Sequence, residues 1–238
     1  MACDTIAFGH KRERRIDMKT VEVYFVRHGQ TFFNRYNRMQ GWSDSPLTEQ
    51  GWQDAKVTGQ RLANIPFTAA YSSDTTRAFN TANTIVHSNK SPGLTVKQLP
   101  EFREEFYGYF EGADSAQTWF QVLKPISKAR NFHDFLMNHD ISESKNAVKA
   151  ADPFHDAEDH QDFWKRLDKG FNYLKTHSQD QDKILVVSHG TTIRSIVARY
   201  APDMDITTSP SNGSVTKLTI QDSQISVDYF NQIEKIIN

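Results

Sequence analysis

Val21-Glu22-Val23-Tyr24-Phe25-Val26 runs without a break into Arg27-His28-Gly29-Gln30-Thr31, and Lys183-Ile184-Leu185-Val186-Val187 runs in the same way into Ser188-His189-Gly190-Thr191-Thr192. Both leading runs are short and rich in β-branched and aromatic residues, which is the pattern of a buried strand. Both end in a His-Gly-x-Thr turn. In open parallel sheets ligands bind beyond the carboxyl ends of the strands, so the residues that decide the fold also mark the candidate site. The glycines let main chain approach a ligand closely. Free N–H groups at the start of the helix expected after Gly190 suit an anion. If the two strands are neighbours, both imidazoles face one small volume, with Arg27 beside them. A guanidinium fork matches phosphate oxygens, and Arg77 is expected to complete the positive pocket.

Working outward, Thr48 to Asn64 is predicted as a helix with Thr48 as N-cap and Trp52, Ala55 and Leu62 on one face. Thr68 to Tyr71 is a short strand candidate. Asp74 to His87 follows as a helix carrying Ala78, Ala82 and Ile85. Thr191 to Tyr200 is the helix after the second strand, with Ile193, Ile196 and Val197 apolar. Ser214 to Ile220 and Gln224 to Phe230 resemble an edge hairpin. Strands alternating with helices imply an α/β fold with a mainly parallel sheet. Residues 113–160 lack a strand pattern and carry scattered aromatics. They are predicted as a helical insertion over one end of the sheet, within a domain spanning 18–238.

The chain has 238 residues and a formal net charge of -1. That balance offers nothing to attract nucleic acid, so an anionic ligand must be drawn by local charge. Cys3 is the lone cysteine, which excludes an internal disulfide and fits a reducing, cytoplasmic location. No apolar run approaches membrane-spanning length, so no membrane partner is expected. Residues 1–17, with the basic run from His10 to Arg15, are expected to form a disordered, solvated arm. The expected partner is a small phosphorylated metabolite, and an oligomer is compatible with the sequence.

Arg27-His28-Gly29-Gln30-Thr31 with Asn34 resembles the opening motif of the histidine phosphatase superfamily, the phosphoglycerate-mutase-like proteins. The likeness continues through the block from Gln40 to Gly51, through Ser72-Ser73-Asp74-Thr75-Thr76-Arg77-Ala78, through Glu104 to Gly112, and through Val187 to Gly190. The resemblance implies a three-layer sandwich: a mixed, mostly parallel sheet flanked by helices, with the helical insertion over the active site. It implies His28 as nucleophile, with Arg27, Arg77 and His189 holding the transferring phosphoryl group and Asn34 assisting. It implies Glu104 as proton donor and Gln40, Gly41, Gly190 and Thr191 lining the site. No metal or organic cofactor is implied.

The chemistry fits those residue types. Histidine can serve as a covalent nucleophile that splits a very slow hydrolysis into two easier steps. Its attacking nitrogen must be unprotonated, so a partner on the other ring nitrogen has to set the tautomer. The resemblance implies a backbone carbonyl there, which the sequence does not identify. Fixed cationic donors, a protonated His189 among them, then do for the equatorial oxygens what Mg²⁺ does elsewhere.

Other signals are read more plainly. His133, His139, His155 and His160 lie among aspartates, but no pair shares a helical face, so a metal site is not expected. Asp156, Glu158 and Asp159 suit the start of a helix running to about Thr176. Trp42, Trp119, Phe132 and Phe135 are assigned to core or lid packing, with lining a substrate pocket as the alternative. Lys124, Lys128 and Arg130 read as a solvated face. Glu101, Glu105 and Glu111 read as surface charge or loop bracing. The leading expectation is a phosphatase acting on a small phosphate monoester. Phosphoglycerate mutase is the alternative, against which stands the absence of an Arg-Arg pair between Ala113 and His160. A non-catalytic phospholigand-binding protein is the alternative from another class.

Overall fold

The computed structural model describes residues 19–222, 224–234 and 237; the expected arm at 1–17 lies outside them. A six-stranded sheet runs in the order β3-β2-β4-β1-β5-β6, with β1 Thr20–Arg27, β2 Ala69–Ser72, β3 Val96–Gln98, β4 Lys183–Ser188, β5 Val215–Gln221 and β6 Gln224–Gln232. The first four in that order are parallel, and β5 and β6 add an antiparallel edge. β3 carries no strand signature in the sequence. Two of its three residues are exposed, so neither period nor apolar content reveals it.

Alternation along the central strands builds both faces. Val21, Val23 and Phe25 of β1 and Ile184 and Val186 of β4 pack with Phe163, Leu167 and Phe171 of helix α7 (His160–His177) and with Ile193 and Ile196 of helix α8 (Gly190–Tyr200). Tyr24 and Val26, with Leu185 and Val187, meet Leu62, which caps helix α2 (Glu49–Arg61), and Ala78, Ala82 and Ile85 of helix α3 (Thr76–Ser88). The result is the helix–sheet–helix sandwich. Trp52 departs from expectation. It is 40% exposed, because the buried face of α2 is made by Gly51, Ala55, Thr58 and Gly59.

A third apolar cluster lies beyond the sheet. Helices α4 (Ser115–Leu123), α5 (Phe132–Leu136) and α6 (Ile141–Ala151) gather Trp119, Leu123, Phe135 and Val148 around Met39 and Tyr107. The short helix α1 (Phe32–Arg35) sits just after the first His-Gly turn. At that turn the chain crosses itself closely: a Cβ on Gly29 would lie 2.1 Å from Gly51 O, and one on Gly51 would lie 2.0 Å from Gln30 O. Only glycine permits this approach, and it holds the 48–51 turn beneath the site.

Candidate active site

Because β1 and β4 pair in register, with Arg27 opposite Ser188, the residues that follow each strand emerge side by side. The rings of His28 and His189 lie 5.1 Å apart, edge to face. His28 Nδ1 is 2.8 Å from the carbonyl oxygen of Gly29. That oxygen only accepts, so Nδ1 carries the proton and donates. Nε2 is left with a lone pair, towards which Arg77 Nε points at 3.3 Å. The carbonyl left open by sequence is therefore that of Gly29. Asn212 holds the main chain of the same residue, its Nδ2 donating to His28 O at 2.8 Å.

Arg77, in the first turn of α3, is fully buried. Its five N–H groups all find acceptors. NH2 donates to Gly41 O at 2.6 Å and to His189 Nδ1 at 3.1 Å; NH1 donates to Ser43 O at 2.8 Å and to Asp44 at 3.1 Å; Nε faces His28. Asp44 also accepts from the N–H of Thr76, so a distant loop caps α3. Since His189 Nδ1 accepts from Arg77, Nε2 bears the proton and donates to Ser73 Oγ at 2.7 Å.

Burial, reinforced by the charges of Arg77 and Arg27, holds His28 well below its ordinary value of 6.5. Burial, followed by the charge of Arg77, does the same to His189. Both rings are held neutral by these surroundings. This corrects the expectation of a protonated His189: among surrounding cations and out of water, an imidazolium is disfavoured until negative charge arrives.

Glu104 sits in an irregular segment after a short turn at Pro100–Phe102. Its Oε2 accepts from Thr191 N at 2.8 Å, and its Oε1 from Thr192 N at 2.8 Å, Thr192 Oγ1 at 3.0 Å and Glu105 N at 3.0 Å. The start of α8, expected to receive a ligand anion, instead grips this carboxylate, the side chain that α8's dipole and free N–H groups suit.

A cavity of about 690 Å³ opens over these groups, lined by Arg27, His28, Asn34, Gln40, Glu104 and Gly190 among others. Gln40 Nε2 is buried there without a partner, while its Oε1 accepts from Thr31 Oγ1 at 2.7 Å. Asn34 spends its amide oxygen on Thr31 N. Two expected lining residues stand behind the wall instead. Gly41 serves through the carbonyl that holds Arg77, and Thr191 through its bonds to Glu104 and to the Tyr107 hydroxyl.

The outer cavity wall comes from the insertion and from the 201–214 segment. Trp119 and Phe132 stack at 4.1 Å and both line the cavity, so their packing also shapes the pocket. Arg194, not singled out from sequence, lies 4.9 Å over Phe132 and ties down the carbonyls of Ile206 and Thr207; burial pushes it down to about 10. Its one sequence signal is a place one helical turn beyond Gly190. Glu111 braces the 41–43 loop through the N–H groups of Gly41, Trp42 and Ser43. Glu105 is not surface charge: it is fully buried, 3.9 Å from Lys145, and burial pushes it up to about 8. Lys124, Lys128 and Arg130 face solvent. Among the described residues no group of three or more His, Cys, Asp and Glu is placed to hold a metal ion, and no helix is long and apolar enough to cross a membrane.

The chain matches the family model of the histidine phosphatase superfamily (branch 1) over residues 23–233. It belongs to that superfamily. A phosphoglycerate mutase from Bacillus anthracis str. Sterne superposes with a TM-score of 0.85 at 32% identity, covering 92% of this chain and 96% of that one. A 2,3-bisphosphoglycerate-dependent phosphoglycerate mutase of Gloeobacter violaceus is 38% identical over 96 residues, 40% of this chain and 44% of that protein, so the match spans less than half of that relative. A mycobacterial glucosyl-3-phosphoglycerate phosphatase has a TM-score of 0.69 at 24% identity over 89% of this chain and 99% of its own, a likeness of fold alone. A protein named as a mutase and one named as a phosphatase thus share this one scaffold.

Proposed function

We propose that the protein is a phosphatase hydrolysing a small phosphate monoester through a phosphohistidine on His28. The observation that carries this is the His28 tautomer. With its proton held by Gly29 O, Nε2 presents a lone pair to a cavity ringed by fixed donors, and burial keeps it unprotonated. In the first step Nε2 attacks phosphorus, the ester P–O bond breaks, and the leaving oxygen takes from Glu104 the proton that this residue gained from the attacking water of the preceding turnover. Oε1 of that residue accepts from two main-chain N–H groups and Oε2 from one, so Oε2 has the free lone pair for the proton. In the second step water attacks phosphorus, the P–N bond breaks, and Glu104 takes a proton from the water. Arg77 needs no metal to do its part. It exchanges its two bonds to imidazole nitrogens for bonds to phosphoryl oxygens, and the incoming dianion raises the proton affinity of His189.

Hydrolysis is favoured over isomerisation by the cavity. A mutase must retain an acid beside phospho-His28 and exclude water. From residues 113–160 no arginine lines the cavity; Arg130 is 87% exposed and paired with Asp134. The mutase names of the B. anthracis and G. violaceus proteins favour the second reading, so one experiment should decide both. Phosphorylated metabolites are screened for phosphate release, and 3-phosphoglycerate is run with a catalytic amount of its bisphosphate. Phosphate release with little 2-phosphoglycerate supports the phosphatase. Isomerisation at about 10 per second or faster replaces it with the mutase, and no phosphoenzyme with any substrate leaves a phospholigand-binding protein.

A further inference from the structure

One cation lies close to Glu104 without touching the cavity. Arg166 stands on α7 with its side chain 14% exposed, facing Glu158, whose side chain is 10% exposed. Its five N–H groups all find acceptors, as those of Arg77 do. Nε and NH2 fork onto the two oxygens of Glu158, each at 2.7 Å. NH1 donates to Glu101 O at 2.8 Å and to Arg103 O at 3.0 Å, and NH2 also donates to Glu104 O at 3.1 Å. Three carbonyls within four residues are therefore pinned by one guanidinium.

Glu158 does not act as the helix-start charge expected of it. Asp159 is the N-cap of α7, and Glu158 turns back to fix Arg166 and to accept from Phe106 N at 3.0 Å. Trp42 adds a second donor to the same main-chain oxygen, Nε1 to Glu104 O at 3.0 Å. The Glu104 carboxylate is held from the opposite side by α8. The acid thus hangs between two helices, its main chain on α7 and its carboxylate on α8.

We propose that Arg166 is a positioning residue that sets where Glu104 delivers its proton. It rests on the reading of Glu104 as the acid. A planar five-donor fork does this where lysine, with three donors on a flexible stem, does not. A shift of about 1 Å in a reacting group can lower rate by about 10²-fold. That loss should fall only on leaving groups that need a proton.

The test measures Arg166→Lys, Trp42→Phe and Glu104→Gln on two esters: 3-phosphoglycerate, whose alkoxide needs a proton, and p-nitrophenyl phosphate, whose anion departs unaided. For Arg166→Lys the expected result is a kcat on the alkyl ester lowered by about 10- to 100-fold, with KM little changed. The aryl ester should lose no more than about threefold, because its departure needs no acid. Trp42→Phe keeps the ring over Phe106 and removes one donor, so it should show a smaller loss of the same pattern. It also serves if Arg166→Lys does not fold. Equal losses on both esters, or no loss on either, overturn the role of Arg166. Where Glu104→Gln itself slows both esters equally, the acid assignment fails first. Where Glu104→Gln discriminates between the esters and the Arg166 and Trp42 variants do not, this inference alone is overturned.

Discussion

Replacing Arg77 by lysine keeps a positive charge beside His28 and His189 and removes the fork. Arg77 places all five of its N–H groups on five acceptors; an ammonium has three N–H groups on one atom and cannot span them. Two of the acceptors, Gly41 O and Ser43 O, are main-chain carbonyls beneath the site. Leaving either unpaired costs about 1–3 kcal/mol, so the variant should lose about 2–6 kcal/mol from a total of about 5–15. Catalysis should fall separately. The loss of one preorganised oxyanion donor is worth about 10²- to 10³-fold in kcat, and lysine would not restore the two-point contact. The pH profile divides charge from geometry. After burial, the charge of Arg77 is the next largest cause holding down both histidines. Arg77→Lys should therefore leave the acid limb of kcat/KM in place. Arg77→Gln should let His28 rise, so that the nucleophile becomes protonated at higher pH and the acid limb moves up. The assay is kcat/KM on p-nitrophenyl phosphate across pH, with urea midpoints measured in parallel. Arg77→Lys retaining kcat/KM within about threefold of wild type would refute the forked hold on the phosphoryl oxygens.

His28→Ala should abolish turnover while the fold survives, and trapping should yield an acid-labile, base-stable phosphohistidine on the wild type only; comparable turnover by the variant would end the covalent mechanism. Activity should persist through exhaustive chelation, and vanadate should inhibit by mimicking the trigonal bipyramidal state on His28; silence after EDTA with recovery on Mg²⁺ or Zn²⁺ would contradict the cationic pocket. Stability should fall on acidification. His28 and His189 are held below the ordinary 6.5 when folded, so below pH 6.5 the unfolded chain binds more protons and the folded state weakens progressively towards the depressed values. Urea midpoints at pH 7.5 and 5.5 should show this, and His189→Asn should show a smaller drop; a midpoint flat between those values would mean the rings are not buried neutral.

Much of the fold could be read from local pattern. β1, β2, β4 and the β5–β6 hairpin announce themselves by alternation or apolar runs, and α3 by the spacing of Ala78, Ala82 and Ile85. β3 could not be read, because it has three residues, mostly exposed, and exists by pairing with β2. Trp52 lies off the buried face that the apolar pattern predicts for it, because a large aromatic outweighs small residues in an apolar count, whereas α2 packs closely through Gly51, Ala55 and Gly59.

The sequence alone singled out side chains that the fold brings together, with the rings of His28 and His189 5.1 Å apart and Arg77 bonded to both. His28 and His189 follow two runs patterned as buried strands, so their turns share one edge provided the strands are neighbours, as β1 and β4 are. The resemblance to the histidine phosphatase motifs implies Arg27, Arg77 and Glu104 at the same place. Tertiary structure decided the states of those groups. The proton on His28 Nδ1 depends on a carbonyl's direction, and the neutrality of His189 depends on burial beside arginines from other elements. The start of α8 was legible as an anion site, but that the anion is the Glu104 carboxylate depends on a segment 87 residues away in sequence from Thr191. Arg166 and Glu158 look like ordinary helix-surface charges in the chain. Their part in holding Glu104 exists only because α7 packs against the Pro100–Phe102 turn. Local period reports which face of an element is buried; it carries no information on which distant polar group completes a hydrogen bond there.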